Sequence, residues 1–387
     1  MRLFVVIICS AFLASCARGT NSFSPLPPSA LPDASGYALL YSFKSGEDGG
    51  FPTASLTPLA GALYGTTYGG GGGDEWGTIF KISTTGDEHV LYRFKAGKDG
   101  AHPNAGLIAV NGGLYGTTYQ GGTGGSGTVF SVSAVGVEHV LYSFKGGKDG
   151  QYPYAQLLNV NGTLYGTTYQ GGAPGWGVVF KTSTTGEEHV LYTFRAGKDG
   201  AHPYAGLIAV NGMLYGTTYQ GGTAGSGTVF RVSTSGAEHI VYSFKGGSDG
   251  QYPYAPLLRV NGRLYGTTYQ GGVSSGWGVI FKVSTLGKED VLYRFKADKD
   301  GAHPLFAGLI AQNGTLYGTT YQGGSSGTGT VFSESPSGGD DHVLYSFKSG
   351  SDGEYPYAGL VALDGVVYGT TYQGGASNAG TVFKLSL

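Results

Sequence analysis

Residues 161–172 read NGTLYGTTYQGG, and the phrase returns along the chain almost unchanged. LYGTTY begins at Leu63, Leu114, Leu164, Leu214, Leu264 and Leu316, and VYGTTY begins at Val367. The seven starts lie 51, 50, 50, 50, 52 and 51 residues apart. A period near 50 belongs to solenoids, propellers and other repeat arrays. The copy around the fourth start shows what one unit contains. AGLIAV (205–210) is an apolar run, and Asn211-Gly212 is the strongest short hairpin signal, a type I′ turn. LYGTTY then alternates large and small side chains, and QGGTAGSG (220–227) is a glycine-rich loop. TVFRVS (228–233) and HIVYSF (239–244) are β-rich runs separated by a second turn, and KGGSDGQYPYA leads into the next unit. Four short strands with turn signals between them and no helical period indicate an all-β fold.

Seven four-stranded units are expected to close into a seven-bladed β-propeller, which also removes the long exposed edges of an open array. Two smaller sheets or a β-solenoid are the alternatives, but solenoid coils are shorter per repeat. In outline the unit resembles a kelch repeat, with a Gly-Gly doublet closing its second strand (Gly171-Gly172, Gly221-Gly222), although the outer-strand tryptophan of that repeat is missing. That outline implies AGLIAV as the innermost strand a, LYGTTY as b, TVFRVS as c and HIVYSF as d. The first strand-like stretch, Tyr37–Phe43 (YALLYSF), is of type d, and the last, Thr381–Leu387 (TVFKLSL), is of type c. Tyr37–Phe43 is therefore expected to pair with Thr381–Ser386 and close the ring between the chain ends.

The repeat resembles the GloVer tandem repeat of bacterial surface and secreted proteins, the choice-of-anchor group. LYGTTYQGG, GTVF-x-VS and HVLYSF carry the resemblance from Tyr37 to Leu387. It implies a surface location and brings no established activity. The anchor varies in that family and is often a C-terminal sorting signal. This chain ends at its last strand, so the N-terminus is the expected anchor. Met1 and Arg2 precede an apolar stretch, Leu3–Ala14, too short to span a membrane as a mature helix. Leu13-Ala14-Ser15-Cys16 resembles a bacterial lipobox. The expected organisation is a signal peptide (1–15), a lipidated Cys16 with a Pro/Ser-rich tether (16–36), and the propeller (37–387). Cys9 and Cys16 are the two cysteines, so the mature domain has no disulfide and no thiolate metal site.

Charged residues are 12% of the chain, about half the usual share, with a net charge of −2 and no basic cluster. Nucleic-acid binding needs a Lys/Arg patch, so that class is set aside. No Ser/His/Asp signature, HExxH motif or sialidase-type Asp box occurs. Copper-radical oxidases on kelch-like propellers need a cysteine that the mature chain lacks. A monomer without catalysis, cofactor or metal is expected.

Strand parity locates function. The d–a and b–c loops leave from one end of the blades, and the two tight turns leave from the other. Binding belongs on the loop-rich face. Each d–a loop there has a cation four residues before an aspartate: Lys44/Asp48, Lys95/Asp99, Lys145/Asp149, Arg195/Asp199, Lys245/Asp249, Lys296/Asp300 and Lys348/Asp352. An Asp-Gly turn whose carboxylate caps backbone amides explains the motif; a seven-fold ring of ligand-binding charges is the alternative. Other positions break the seven-fold pattern. His102, His202 and His303 alternate with Tyr152, Tyr252 and Tyr355, and Trp76, Trp176 and Trp277 sit in alternate b–c loops. Aromatic rings beside amides and carboxylates suit sugars, and these nine residues are the candidate ligand-binding set. Plugging gaps between loops is their alternative role. Within LYGTTY, Tyr215, Thr217 and Tyr219 should share one face and Leu214, Gly216 and Thr218 the other, with Gly216 letting the next blade approach. The expected protein is a lipid-anchored extracytoplasmic module that binds glycans or proteins. A scaffold without a small-molecule site is the alternative.

Overall fold

The computed structural model describes residues 36–387 except 74, 273–275, 307 and 340–341. The expected signal peptide, Cys16 and all of the expected tether but Gly36 lie outside the described residues. The chain forms a seven-bladed β-propeller of seven four-stranded antiparallel sheets. Blades 1 to 6 occupy residues 57–93, 108–143, 158–193, 208–243, 258–294 and 310–346. Blade 7 takes strands a, b and c from 361–386 and strand d from Tyr37–Ser42. Its d strand pairs antiparallel with the final strand, Tyr37 opposite Leu385 and Ser42 opposite Thr381, as the chain ends led one to expect.

In blade 4 the order is Ile208–Val210, Met213–Thr218, Thr228–Ser233 and Glu238–Ser243. The hairpin between a and b has positive φ at both central residues, Asn211 (51°) and Gly212 (78°), which defines a type I′ turn. Strand a is shorter than AGLIAV. Seven inner strands converge on one axis, and Ala205–Leu207 bends into the entry loop. The Thr167 hydroxyl of the preceding blade donates to the Ala205 carbonyl there (3.2 Å).

The core is a set of blade junctions. Tyr215 and Val229 of blade 4 pack with Leu264, Phe281 and Val283 of blade 5, and Tyr165 and Val179 of blade 3 pack the same way with Leu214, Phe230 and Val232. At every junction a strand-d Phe meets a strand-c Phe of the next blade edge to face, from Phe94–Phe130 (5.3 Å) to Phe43–Phe80 across the seam (5.1 Å). Such pairs contribute about 0.5–1.5 kcal/mol each beyond burial. The expectation for Gly216 needs correcting. A Cβ there would lie 2.7 Å from Phe230 Cζ and 2.8 Å from Leu207 Cδ2, both in its own blade. The glycine makes room for the Phe230 ring, which then meets Phe194 of the preceding blade (5.1 Å).

Strand d carries a bulge at the same place in each blade, between Val190 and Tyr192 in blade 3. The bulged Leu191 turns its carbonyl to the c–d turn of blade 4, where a Cβ on Gly236 would fall 2.4 Å from it. Gly86 meets Leu40 in the same way across the seam, so the junction that joins the chain ends is built like the others.

Candidate functional site

The d–a and b–c loops do share one face. Antiparallel bridges such as Ala101 with Gln120 and Ala201 with Gln220 tie each d–a loop to the start of its blade's b–c loop. The seven loop aspartates turn inward. Each accepts the backbone N–H of the cation four residues before it, at 2.6–3.1 Å. Each also accepts the hydroxyl of a strand-d tyrosine, from Tyr142 to Asp149 Oδ1 at 2.5 Å to Tyr41 to Asp48 Oδ2 at 2.8 Å. These tyrosines were not singled out from the sequence. Their constant place, seven residues before each aspartate, was the available signal.

Asp300 caps its loop in the same way but leaves one oxygen unused. Its Oδ2 accepts both bonds, from the Tyr293 hydroxyl (2.6 Å) and the Lys296 N–H (3.1 Å). Its Oδ1 is buried and accepts no hydrogen bond among the described residues. Gly97, Gly147, Gly197, Gly247 and Gly350 each begin a 3-10 turn that ends on the aspartate, with φ of 57–63°. Asp298 stands at that position in the loop after blade 5 and Gly46 in the loop before blade 1, and neither has a positive φ. Both loops close instead through the preceding residue, Ser45 N–H on the Gly49 carbonyl and Ala297 N–H on the Gly301 carbonyl (both 3.2 Å). Asp300, like the other six aspartates, is partly buried.

The alternating His/Tyr positions form one ring with Phe51 as its seventh member. All seven have left-handed backbones: Phe51, His102, Tyr152, His202, Tyr252, His303 and Tyr355 have φ between 55° and 62°. Bulky residues rarely adopt that conformation. Two hydrogen bonds hold it: His202 N–H donates to the Trp176 carbonyl of the preceding blade (2.8 Å), and its own carbonyl accepts from Tyr219 N–H (3.0 Å). Each ring packs on the last tyrosine of LYGTTY in the preceding blade, His102 on Tyr68 at 4.5 Å and Tyr152 on Tyr119 at 4.9 Å. His202 Nδ1 also lies 2.9 Å from the Tyr169 carbonyl. Trp76, Trp176 and Trp277 meet His102, His202 and His303 edge on, at 5.1–5.2 Å, and Trp176 keeps 37% of its surface exposed. The nine candidates thus occupy successive blade junctions and do not converge.

What converges is the residue after each of these prolines. Tyr154, Tyr204, Tyr254 and Tyr357 stand around the mouth of the central channel, and Phe306 joins them. Neighbouring rings touch in sequence: Tyr154–Tyr204 at 4.8 Å, Tyr204–Tyr254 at 4.9 Å, Tyr254–Phe306 at 5.1 Å and Phe306–Tyr357 at 4.7 Å. Blades 1 and 2 place Thr53 and Asn104 there instead. Blade 6 has an extra residue in this loop, HPLFA where blade 4 has HPYA. Phe306 consequently reaches inward, to 5.5 Å from Tyr204 and 6.5 Å from Tyr154. The result is an aromatic arc facing a polar sector of Thr53, Ser55, Asn104 and Gln156, around a cavity of about 170 Å³. Gln156 Nε2 donates to the Leu107 carbonyl (2.6 Å), while the Asn104 amide makes no hydrogen bond among the described residues. Among the described residues no Asp, Glu, Lys, Arg or His lines the cavity. Burial pushes the phenols of Tyr154, Tyr204, Tyr254 and Tyr357 well above their ordinary range, so they stay neutral donors. The sequence signal was Pro-Tyr-Ala, broken at Thr53, Asn104 and Phe306.

Comparison with functionally curated proteins gives no match. Two solved structures are similar in fold. A putative 6-phosphogluconolactonase from Bacteroides uniformis is 15% identical, with 75% of this chain and 83% of that one covered and a TM-score of 0.50. A puromycin-hydrolyzing peptidase from Mycobacterium tuberculosis is 13% identical, with a TM-score of 0.52 over 86% of this chain and 52% of that one. At these identities the likeness is one of fold alone. The model of the Gloeobacter/Verrucomicrobia repeat matches residues 29–230 and 209–387, which together span the whole propeller. The chain belongs to the Gloeobacter/Verrucomicrobia repeat family.

Proposed function

We propose that this propeller is a non-catalytic carbohydrate-binding module, exported and held on a membrane by lipid on Cys16. The observation that carries the binding reading is the central mouth, where an aromatic arc faces the Asn104 amide and the Ser55 hydroxyl with no charged side chain among the described lining residues. Sugar rings offer apolar C–H faces to aromatic rings and directional hydroxyls to amides, and a pocket of this composition suits both. The exposed edge of Trp176 on the same face offers a second aromatic surface. The support for the anchor is the Leu-Ala-Ser-Cys sequence at 13–16 after an apolar stretch. Multiple acyl chains make such anchoring stable.

A glycan array probed with the detergent-solubilised full-length protein tests the binding reading. Saturable binding to a defined glycan set is the expected result. Silence across the array, with a protein partner recovered instead, would favour an interaction scaffold. Turnover of a bound glycan would remove the word non-catalytic. Cys16→Ser should release the protein from the membrane fraction and abolish acyl mass on the N-terminal peptide.

A further inference from the structure

Resting on the carbohydrate reading above, we infer that the central cup takes the terminal ring of an uncharged saccharide chain, stacked against Phe306 and read by Asn104. Size is the first argument. The cavity holds about 170 Å³, and about 150 Å³ suffices for one benzene ring. There is room for a single six-membered ring.

The floor is the second. Below the aromatic arc the inner loops carry small residues that meet one another around the axis. A Cβ on Gly359 would lie 2.9 Å from the Gly308 carbonyl oxygen and 3.0 Å from Ser55 Oγ. A Cβ on Gly106 would lie 3.0 Å from the Ser55 carbonyl oxygen, and one on Gly206 3.1 Å from that of Gln156. These contacts run between neighbouring blades and narrow the channel below the arc, so with room for one ring the cup takes a chain end first from the mouth.

Charge is the third. A carboxylate or sulfate entering this cavity would lose water and gain no cationic partner, which is costly. Asymmetry is the fourth. The extra residue at Leu305–Phe306 puts one ring toward the middle of the mouth, and the Phe306 backbone is fixed there by a parallel bridge to Ala358. Opposite it, the unpaired Asn104 amide faces the cavity's polar side and can distinguish axial from equatorial hydroxyls.

The test uses the full-length protein and calorimetric titration with linear neutral oligosaccharides drawn from the array, the same chains bearing a terminal uronic acid, and cyclic oligosaccharides that have no end. Neutral chains sharing a terminal sugar should bind with equal affinity whatever their length, and charged or cyclic ones should not bind. Phe306→Ala should weaken binding about tenfold, the 1.4 kcal/mol scale of one aromatic contact, and Phe306→Tyr should retain it. Asn104→Ala, at a half-buried loop position, should change the preference between epimeric terminal sugars. Leu286→Ala, in an exposed turn on the opposite face, should leave affinity unchanged. If cyclic chains bind, or if Trp176→Ala abolishes binding while a folded Phe306→Ala does not, the cup assignment falls and the carbohydrate reading survives. If no saccharide binds, or the cup takes only tetramethylammonium as a cation–π cage would, both fall.

Discussion

Tyr37 lies flat on Tyr345, ring centroids 3.9 Å apart and planes 3° from parallel, and its hydroxyl donates to the Asp352 carbonyl at 2.6 Å. The contact joins the first described strand to blade 6 and locks the last blade into the ring. Tyr37→Ala should cost about 3 kcal/mol, as other buried aromatic truncations do, and lower the melting temperature by about 4 °C in a domain of this size. Deleting residues 37–42 should be worse, because it bares the edge of the final strand. Soluble monomer of unchanged melting temperature after that deletion would show that the seam carries no stability.

At the other end of the scale from that aromatic seam are five acid pairs. Glu88, Glu138, Glu188, Glu238 and Glu289 begin strand d and face the loop aspartate of the preceding blade, Asp48, Asp99, Asp149, Asp199 and Asp249 in turn. Burial, and then the neighbouring aspartate's charge, push each glutamate up to about 7 from 4.5, with the strand-d tyrosine pulling the other way. For Glu88, Lys44 and Arg93 also pull down; for Glu188, Lys145 does; for Glu289, Asp290 pushes up. One oxygen of each glutamate is buried and accepts no hydrogen bond among the described residues. It gains a partner when it carries a proton to donate. The folded-state pKa lies above the unfolded one, so the stabilisation is complete below about 4.5 and is lost as pH rises through about 7. The melting temperature should therefore fall between about pH 5 and pH 8. Glu138→Gln should flatten part of that slope and raise the midpoint at the upper end by about 1 °C, a modest effect because these side chains are half exposed. A midpoint that climbs with pH across this window would contradict the assignment.

The loop aspartates supply a third test. Tyr142→Phe removes the hydroxyl that donates to Asp149 at 2.5 Å and leaves the carboxylate with the Lys145 N–H (2.7 Å). A hydrogen bond to a charged group contributes about 1.5–3 kcal/mol, and partial exposure places this one at the lower end. Asp149→Asn should cost more, since its single amide oxygen can replace only one of the two acceptors, Oδ1 for Tyr142 or Oδ2 for Lys145, and the charge is lost as well. The two variants measured together by chemical denaturation separate loss of a donor from loss of charge. Equal costs would mean that the charge contributes nothing beyond the geometry.

The repeated phrase was legible because each of its letters acts at a blade junction. In LYGTTY of blade 3, Leu164 is core, Tyr165 packs on blade 4, and Gly166 receives Phe180. Thr167 holds the entry loop of blade 4, Thr168 donates to the Gln170 carbonyl (2.7 Å), and Tyr169 carries the His202 ring. Alternation and period suffice to read such roles, and the closing of the ring by Tyr37–Ser42 followed from strand type alone. The mouth was not legible in the same way. His202 and Tyr204 are two residues apart and both aromatic, but the left-handed turn at His202 sends one ring to the junction and the other to the axis. Strand parity does not extend through such a turn. Phe306 was hidden further, because its importance comes from a one-residue insertion that a comparison of repeats treats as noise.

Gly166 is the sharpest test of how the phrase packs. Its φ is not positive, so alanine is acceptable to the backbone, and the cost arises from space. A Cβ would stand 2.5 Å from Phe180 Cζ and 3.0 Å from Leu157 Cδ2, both buried. Phe180 cannot swing aside, because Phe144 of the preceding blade packs against it edge to face at 5.1 Å. Gly166→Ala should therefore destabilise by about 1–3 kcal/mol, the range for an overpacked core. Phe180→Leu alone should cost a similar amount by leaving a void. Combined, the two should cost less than their sum by about 1 kcal/mol or more, because the smaller ring site accepts the added methyl. Strict additivity in that double-mutant cycle would mean that the glycine is required for something other than the Phe180 ring.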